Sequence, residues 1–457
     1  MCEIFMKKRR ISISTTHIIL FGFLITILAG AILLSLPISS ASGVATSFID
    51  ALFTATTSTC VTGLVVVPTV TYWSVFGQVV ILLLIQIGGL GVITIMSGIM
   101  MLLNRKMGIG DRLLLQDAFN LNSLEGLMRF VKRVLLGTFV IEGIGALLYM
   151  IVFIPQFGAK GIWISIFTSV SAFCNAGIDI IAENSLCNYA LNPIINAVTA
   201  GLIVMGGIGY IVWWDVIRVF KLSQKRKVKF FRDLTLHSKI AISTTLFLVL
   251  FGAALVFAFE YNNPQTMKDY TLLQKIQASL FQSVTTRTAG FATLPQENLT
   301  NATAIVCLLL MFIGGSPVGT AGGIKTVTFV VIFCSAISSI RNKEDTELFG
   351  RRLSKQAVSK AVAVAAMSFA IMFVSTVLLS AVTNAGALDV FYETVSATAT
   401  VGLTRNLTMS LNNIGRLIII VTMYFGRVGP ISLALAFNNK KQNQNMVRNP
   451  IEEISVG

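Results

Sequence analysis

The chain is poor in charge. Of its 457 residues only 12% are Asp, Glu, Lys or Arg, while 54% are hydrophobic and the mean hydropathy is +0.80. Soluble domains carry about twice that charge. The shortage excludes a disordered chain, a coiled coil and a large soluble enzyme, and leaves a polytopic membrane protein. Cysteine is also scarce. Cys2, Cys60, Cys174, Cys187, Cys307 and Cys334 are too scattered for a disulfide framework, and no Cys-x-x-Cys pair suggests zinc. A membrane enzyme would need His, Asp or Glu clustered at one depth. Glu142 stands alone in its apolar run, so no catalytic residue is assigned and no cofactor is expected within the chain.

What is present is apolar sequence in two lengths. Long runs cover about 17–36, 75–103, 134–154, 193–217, 238–259, 302–340, 359–383 and 413–437, each able to cross a bilayer as a helix. Short runs at about 47–58, 162–173, 274–285 and 388–398 cannot span and read as re-entrant. The first run follows a basic start and lacks an Ala-x-Ala site, so it reads as a retained span. Lys and Arg number 35 against 20 acidic residues, and 27 of the 35 fall in five segments: the N-terminus, 104–133, 218–239, 341–360 and the tail. With eight crossings all five lie on one side, which the positive-inside rule makes cytoplasmic. Both termini then lie in the cytoplasm and the protein is multi-pass in the cell membrane. The excess charge reports topology, and no nucleic-acid partner is expected.

The chain repeats itself. The four short runs end at Gly63, Gly177, Gly290 and Gly402, spaced by 114, 113 and 112 residues. A second glycine series follows at offsets of 25, 29, 24 and 24: Gly88, Gly206, Gly314 and Gly426. Two linked series imply four copies of span, short helix, loop and span. The expected organisation is an N-terminal segment (1–16), repeats over 17–103, 104–217, 218–340 and 341–437, and a tail (438–457). Cytoplasmic loops open the second to fourth repeats. Each copy crosses twice, so the copies share one sense around an axis along the membrane normal, unlike inverted-repeat carriers for organic solutes. The fold class is all-α: eight transmembrane helices plus four re-entrant pore helices around a central pore.

Non-helical backbone at membrane depth must be buried or line a water-filled path. Four loops on one axis would present carbonyl rings that replace the hydration shell of an alkali cation. Glycine permits the positive φ such turns need. The residues before each glycine (Val61 and Thr62, Asn175 and Ala176, Thr288 and Ala289, Thr400 and Val401) are small, polar or β-branched. Negative helix ends facing the axis also favour cations. The second glycine series has two readings, a functional break or close helix packing.

Charge inside the spans marks function by default. Arg427 fills the slot that Gly89, Gly207 and Gly315 hold in the other copies. The sixth run is interrupted by Gly314, Gly315, Ser316, Pro317, Val318, Gly319, Thr320, Ala321, Gly322 and Gly323, which cannot continue a helix. This loop is expected to occlude the pore below the short helices, with Arg427 donating to its carbonyls. A plain capping role for Arg427 is the alternative. Lys325 belongs to the same gate segment but is expected to snorkel toward the cytosol. Glu142 has no partner that sequence identifies.

Several motifs together resemble the Trk/Ktr/HKT superfamily of potassium transporters, and within it the membrane subunits of bacterial Ktr systems. They are Ser-Thr-Cys-Val-Thr-Gly-Leu (58–64), Phe-Cys-Asn-Ala-Gly (173–177), Thr-Arg-Thr-Ala-Gly-Phe (286–291), Thr-Val-Gly-Leu-Thr (400–404), Gly-Ile-Lys-Thr (323–326) and Phe-Gly-Arg-Val-Gly-Pro (425–430). The resemblance covers essentially the whole chain. It implies potassium uptake through an ion filter of Thr59, Cys60, Val61, Thr62 and Gly63; Cys174, Asn175, Ala176 and Gly177; Arg287, Thr288, Ala289 and Gly290; and Ala399, Thr400, Val401 and Gly402. K+ would be held by their backbone carbonyls. Sodium dependence is left open. The implied partners are a second copy in a homodimer, a KtrA-like cytosolic nucleotide-binding ring, and membrane lipid. Relatives with serine at the first filter glycine tend to conduct Na+, so Gly63 implies K+ preference. Cys60 and Cys174 depart from the pattern and would be reactive if exposed at the outer vestibule.

Overall fold

The structure is a computed structural model that describes residues 15–103, 126–224 and 230–429. The basic residues at 7–10, 105–112, 225–229 and 440–448, the end of the eighth apolar run and the tail assigned to 438–457 lie outside these, as does most of the segment 1–16.

One order of elements recurs. A long helix α1 (Thr15–Ser35) precedes a short α2 (Phe48–Thr59) and the pair α3 (Val75–Leu90) and α4 (Val92–Leu102). Long α5 (Leu127–Phe157) precedes short α6 (Lys160–Cys174) and the pair α7 (Pro193–Gly207) and α8 (Tyr210–Ser223). Next come α9 (Leu236–Glu260), α10 (Leu272–Thr285), α11 (Asn301–Phe312) and α12 (Thr326–Ile340), the last two separated by a loop over 313–325. The final set is α13 (Lys355–Val382), α14 (Ala387–Ala399) and α15 (Asn413–Val428). A two-residue antiparallel hairpin, β1 (Glu347–Leu348) with β2 (Arg351–Arg352), is a small departure from the all-helical expectation.

Local chemistry sets these boundaries. Ser74, Thr300 and Asn412 each accept a hydrogen bond from the third backbone N–H of the helix they open, and Asn192 accepts from Ile194 and Ile195 ahead of Pro193. Short α10 begins with a capping box between Thr271 and Gln274. Four helices, α1, α5, α9 and α13, are individually long and apolar enough to cross a membrane.

The unbroken helices expected over 75–103 and 193–217 are not observed. The chain bends by 97° between α3 and α4 and by 96° between α7 and α8. Each bend falls on a glycine at positive φ, Gly91 at 87° and Gly209 at 94°, a conformation that side chains oppose. The preceding glycines also serve close packing. A methyl group on Gly88 would lie 1.9 Å from the Thr59 carbonyl oxygen, one on Gly206 1.9 Å from that of Phe173, and one on Gly426 2.2 Å from that of Thr398. Gly88, Gly206 and Gly426 thus serve close packing, and the observed breaks fall on Gly91 and Gly209, three positions after Gly88 and Gly206.

Three short helices pack against the long helix before them and the helix after them, α2 with α1 and α3, α6 with α5 and α7, α14 with α13 and α15, and α10 packs on α9 while Gln282 Nε2 reaches Cys307 Sγ of α11 at 3.5 Å. Each set also touches its neighbour. Helix α3 packs on α6, α7 on α10, α11 on α14 and α15 on α2. The contacts close into a ring with the short helices inside. The C-terminal halves of the short helices are mostly buried, whereas the outer helices expose Phe21, Ile25, Phe139, Leu147, Phe247 and Phe373.

Candidate functional site: a ring of four glycine turns above a clamped loop

Each short helix ends on a side-chain-bearing residue in the left-handed region, followed two positions later by glycine. The pairs are Val61 (φ 56°) with Gly63 (100°), Asn175 (60°) with Gly177 (63°), Thr288 (64°) with Gly290 (80°), and Thr400 (51°) with Gly402 (95°). Left-handed β-branched residues are costly, on the order of 1–2 kcal/mol. Hydroxyls hold the turns in place. Thr57 Oγ1 and Ser396 Oγ accept from the Gly63 and Gly402 N–H groups at 3.0 Å. Ser171 Oγ and Thr285 Oγ1 donate to the carbonyls of Ile178 and Phe291, both at 2.5 Å. Sequence reading missed these hydroxyls, and it named Val61, Asn175, Thr288 and Thr400 without their left-handed backbone. The signal was available: a Ser or Thr stands five or six positions before every glycine.

The four turns meet. A methyl on Gly63 would come within 2.5 Å of the Ala176 carbonyl oxygen, on Gly177 within 2.6 Å of that of Ala289, on Gly290 within 2.5 Å of that of Val401, and on Gly402 within 2.1 Å of that of Thr62. The order 63, 177, 290, 402 and back to 63 is closed, and each carbonyl lies against the glycine of the neighbouring turn. On one side all four glycines line a cavity of ≈ 260 Å³ that also carries Asp179, Glu183 and Glu297. Those carboxylates were not anticipated from sequence.

Side chains of the expected filter residues depart from the expectation at three positions. Cys60 and Cys174 are fully buried, so the vestibule exposure considered for them is not realised. Arg287 is expected among the filter residues. Instead its side chain is buried, and its guanidinium donates to the Gly314 carbonyl at 3.0 Å. The hydroxyls of Thr59, Thr62 and Thr400 have no hydrogen-bond partner among the described residues.

The loop over 313–325 lies beneath the ring and is clamped from several directions. Its ends pair through Gly314 N to Ile324 O at 2.9 Å. Ser316 N and Thr320 N donate to Gly207 O and Gly206 O at the α7–α8 bend, and Tyr210 N donates to Val318 O. Gly322 N donates to Thr288 Oγ1 at 3.1 Å, and a methyl on Gly322 would strike Thr400 Oγ1 at 1.9 Å, so the loop touches two of the four turns. Arg427 donates to Thr320 O at 2.6 Å and to Gly88 O at 2.5 Å, tying the loop to the α3–α4 bend. Lys325 does not snorkel. Its Nζ turns back to Ala321 O at 2.5 Å, because uncapped loop carbonyls are the nearest acceptors.

Glu142 of α5 gains a setting. Gln86 Nε2 donates to its carboxylate at 3.2 Å, Cys174 Sγ lies 3.9 Å away, and Ser169 Oγ donates to its backbone carbonyl at 2.6 Å. It thus joins α3, α5 and α6 behind the second turn. At the other mouth Arg416 of α15 pairs with Asp50 of α2, and Arg405 pairs with Asp389 at 2.7 Å.

Comparison with known proteins bears on this architecture. The family model described as TrkH, cation transport protein, matches residues 7–448. The chain belongs to the TrkH cation transport family. It is 41% identical to the Ktr system potassium uptake protein B of Bacillus subtilis over 96% of each chain. It is 38% identical to the potassium/sodium uptake protein NtpJ of Enterococcus hirae over 99% of each. Its fold is similar to the crystal structure of the potassium transporter TrkH from Vibrio parahaemolyticus, with a TM-score of 0.74 at 15% identity, covering 94% of this chain and 86% of that one. The protein is a mostly helical membrane protein with a TrkH-type fold.

Proposed function

We propose that the chain is the pore-forming subunit of a Ktr-type potassium uptake system. The closed ring of glycine turns carries the reading. Four carbonyl-rich turns, pinned by hydroxyls and held in left-handed backbone, form the pre-organised acceptor cage that a dehydrated alkali cation needs. The acidic cavity on one side concentrates cations at its mouth. The four recurring sets of elements are four same-sense repeats, in which α3 with α4, α7 with α8 and α11 with α12 each act as one broken crossing. With α15 and the four long helices they make eight crossings and place both termini in the cytoplasm. A monovalent cation entering a negative-inside cell gains about 2.3 kcal/mol per 100 mV, so uptake needs no catalytic step in this chain.

The loop from Gly314 to Gly323 is the gate, latched by Arg287, Lys325 and Arg427. The names of the relatives favour K+ as cargo and leave Na+ as a second or coupled ion. The word system in the Ktr names also favours assembly with other components, and the family resemblance makes these a second copy of this chain and a KtrA-like cytosolic nucleotide-binding ring that moves the latch. Rubidium-tracer uptake in cells lacking potassium transport tests the reading. Wild type restores uptake and Gly402→Ala, which drives a methyl into the Thr62 carbonyl, abolishes it. Intact uptake by Gly402→Ala would remove the ring from the permeation path.

A further inference from the structure

Lys325 and Arg427 form a partition between two spaces. On one side is the cavity under the ring, ≈ 250 Å³, lined by Gly88, Gly91, Tyr210 and Val318 with both cations. On the other is a lateral cavity of ≈ 240 Å³, walled by Ile324 and Gly323 of the loop, Val364, Ser368 and Ile371 of α13, and Phe425 of α15, again with both cations. Among the described residues no acidic side chain lines the lateral cavity and neither cation pairs with a carboxylate. Two cations at membrane depth with only backbone carbonyls for partners are costly.

The lateral cavity has an apolar approach. Ile371 and Phe425 are shared with a larger groove of ≈ 510 Å³ between α13 and α15. Its walls include Val374, Leu378, Leu417 and Val421, each about half exposed. The groove residues of α13 lie farther along the helix than Val364 and Ser368. A molecule lying in the groove therefore points its deeper end toward the start of α13 and the two cations. An apolar track ending at two unneutralised cations is complementary to a lipid with an anionic head.

We propose that the groove and lateral cavity bind one anionic phospholipid, with acyl chain between α13 and α15 and phosphate between Lys325 and Arg427. Phosphate is the better acceptor for both groups. Its arrival draws them off the Ala321 and Thr320 carbonyls and loosens the loop. The regulatory half rests on the loop being the gate; the binding half does not.

The test uses full-length protein in vesicles of phosphatidylcholine, with or without phosphatidylglycerol. Retained lipid is read by native mass spectrometry and transport by rubidium uptake. Wild type retains phosphatidylglycerol, which raises its uptake roughly tenfold. In Lys325→Gln and in Ile371→Trp, which fills the junction between groove and cavity, the ratio of uptake in the two lipids falls to about one. Thermal unfolding verifies that both variants are folded. Equal phosphatidylglycerol retention by wild type and Lys325→Gln overturns the site. Retention without any change in uptake overturns the release step, while the loop is tested separately by deleting residues 316–321 and measuring rubidium uptake. Stimulation by inorganic phosphate in phosphatidylcholine vesicles makes the ligand aqueous and overturns the lipid. Cysteines placed at Val374 that cross-link between two copies would show the groove filled by protein, with the same consequence.

Discussion

Replacing Arg427 with glutamine removes the two hydrogen bonds through which it ties the loop to the α3–α4 bend, at 2.6 Å to Thr320 O and 2.5 Å to Gly88 O. A hydrogen bond from a charged donor contributes about 1.5–3 kcal/mol. Glutamine can re-form one neutral bond worth about 1 kcal/mol, so the net loss to the closed arrangement is roughly 2–5 kcal/mol. A shift of 2.7 kcal/mol is about a hundredfold in a two-state equilibrium. A channel open about 1% of the time would become half open. The cation is also removed from the cavity under the ring, which acts in the same direction. Rubidium uptake is measured in cells without any cytosolic regulatory ring, where wild-type flux is low. Arg427→Gln is expected to raise uptake at least tenfold and to abolish the response to the regulator. Arg427→Lys separates the two contributions. It keeps the charge and loses the fork, so it falls between wild type and glutamine. Unchanged uptake with unchanged regulation in Arg427→Gln would refute the latch and leave Arg427 as a cap for carbonyls at a bend.

Further outcomes follow from other parts of the site. In ion competition, Gly63→Ser is expected to raise Na+ permeation, because a side chain at φ 100° pushes the Ala176 carbonyl from 2.5 Å and loosens the cage; a K+/Na+ ratio equal to wild type would sink the filter assignment. Burial raises the Asp179 carboxyl to about 6, against the Ile181 N–H that holds it down. It is therefore charged at neutral pH and discharges as external pH falls through about 6. Apparent K+ affinity should fall over that range and be low at all pH in Asp179→Asn, and a flat profile in wild type would count against a role at the mouth. Burial, helped by Glu297 and Asp179, pushes the Cys187 thiol up to about 12. Although it lines the acidic cavity, its labelling by a membrane-impermeant thiosulfonate should be slow at pH 7 and rise about tenfold per pH unit through pH 10. Labelling that persists in Cys187→Ser would mean that another cysteine is reachable.

The glycine series was legible because four short runs ending at constant spacing leave little freedom: Gly63, Gly177, Gly290 and Gly402 do form one closed ring. The short helices were legible too, with Phe48–Thr59 and Ala387–Ala399 within two residues of the expected runs. The bends at Gly91 and Gly209 were not. In an apolar run a glycine that kinks a helix looks the same as one that admits a neighbour, and here the adjacent Gly88 and Gly206 do the second job. Side-chain direction was also invisible. Arg287 sits beside the third turn in sequence, but whether it faces outward or back to Gly314 depends on where α11 breaks. Glu142 lacked a partner on paper because Gln86 comes from another repeat and Cys174 lies 32 residues away on a different helix of the same repeat.

The arginine at position 427 has a consequence for how such a molecule can be built. It stands where two other bends carry Gly89 and Gly207. On the proposed reading of the ring as the cation path, an assembly of four identical subunits would repeat it on every quadrant, crowding four guanidinium groups under one ring and shutting it to cations for good. Joining the quadrants in one polypeptide lets a single sector hold the bolt while the others stay smooth.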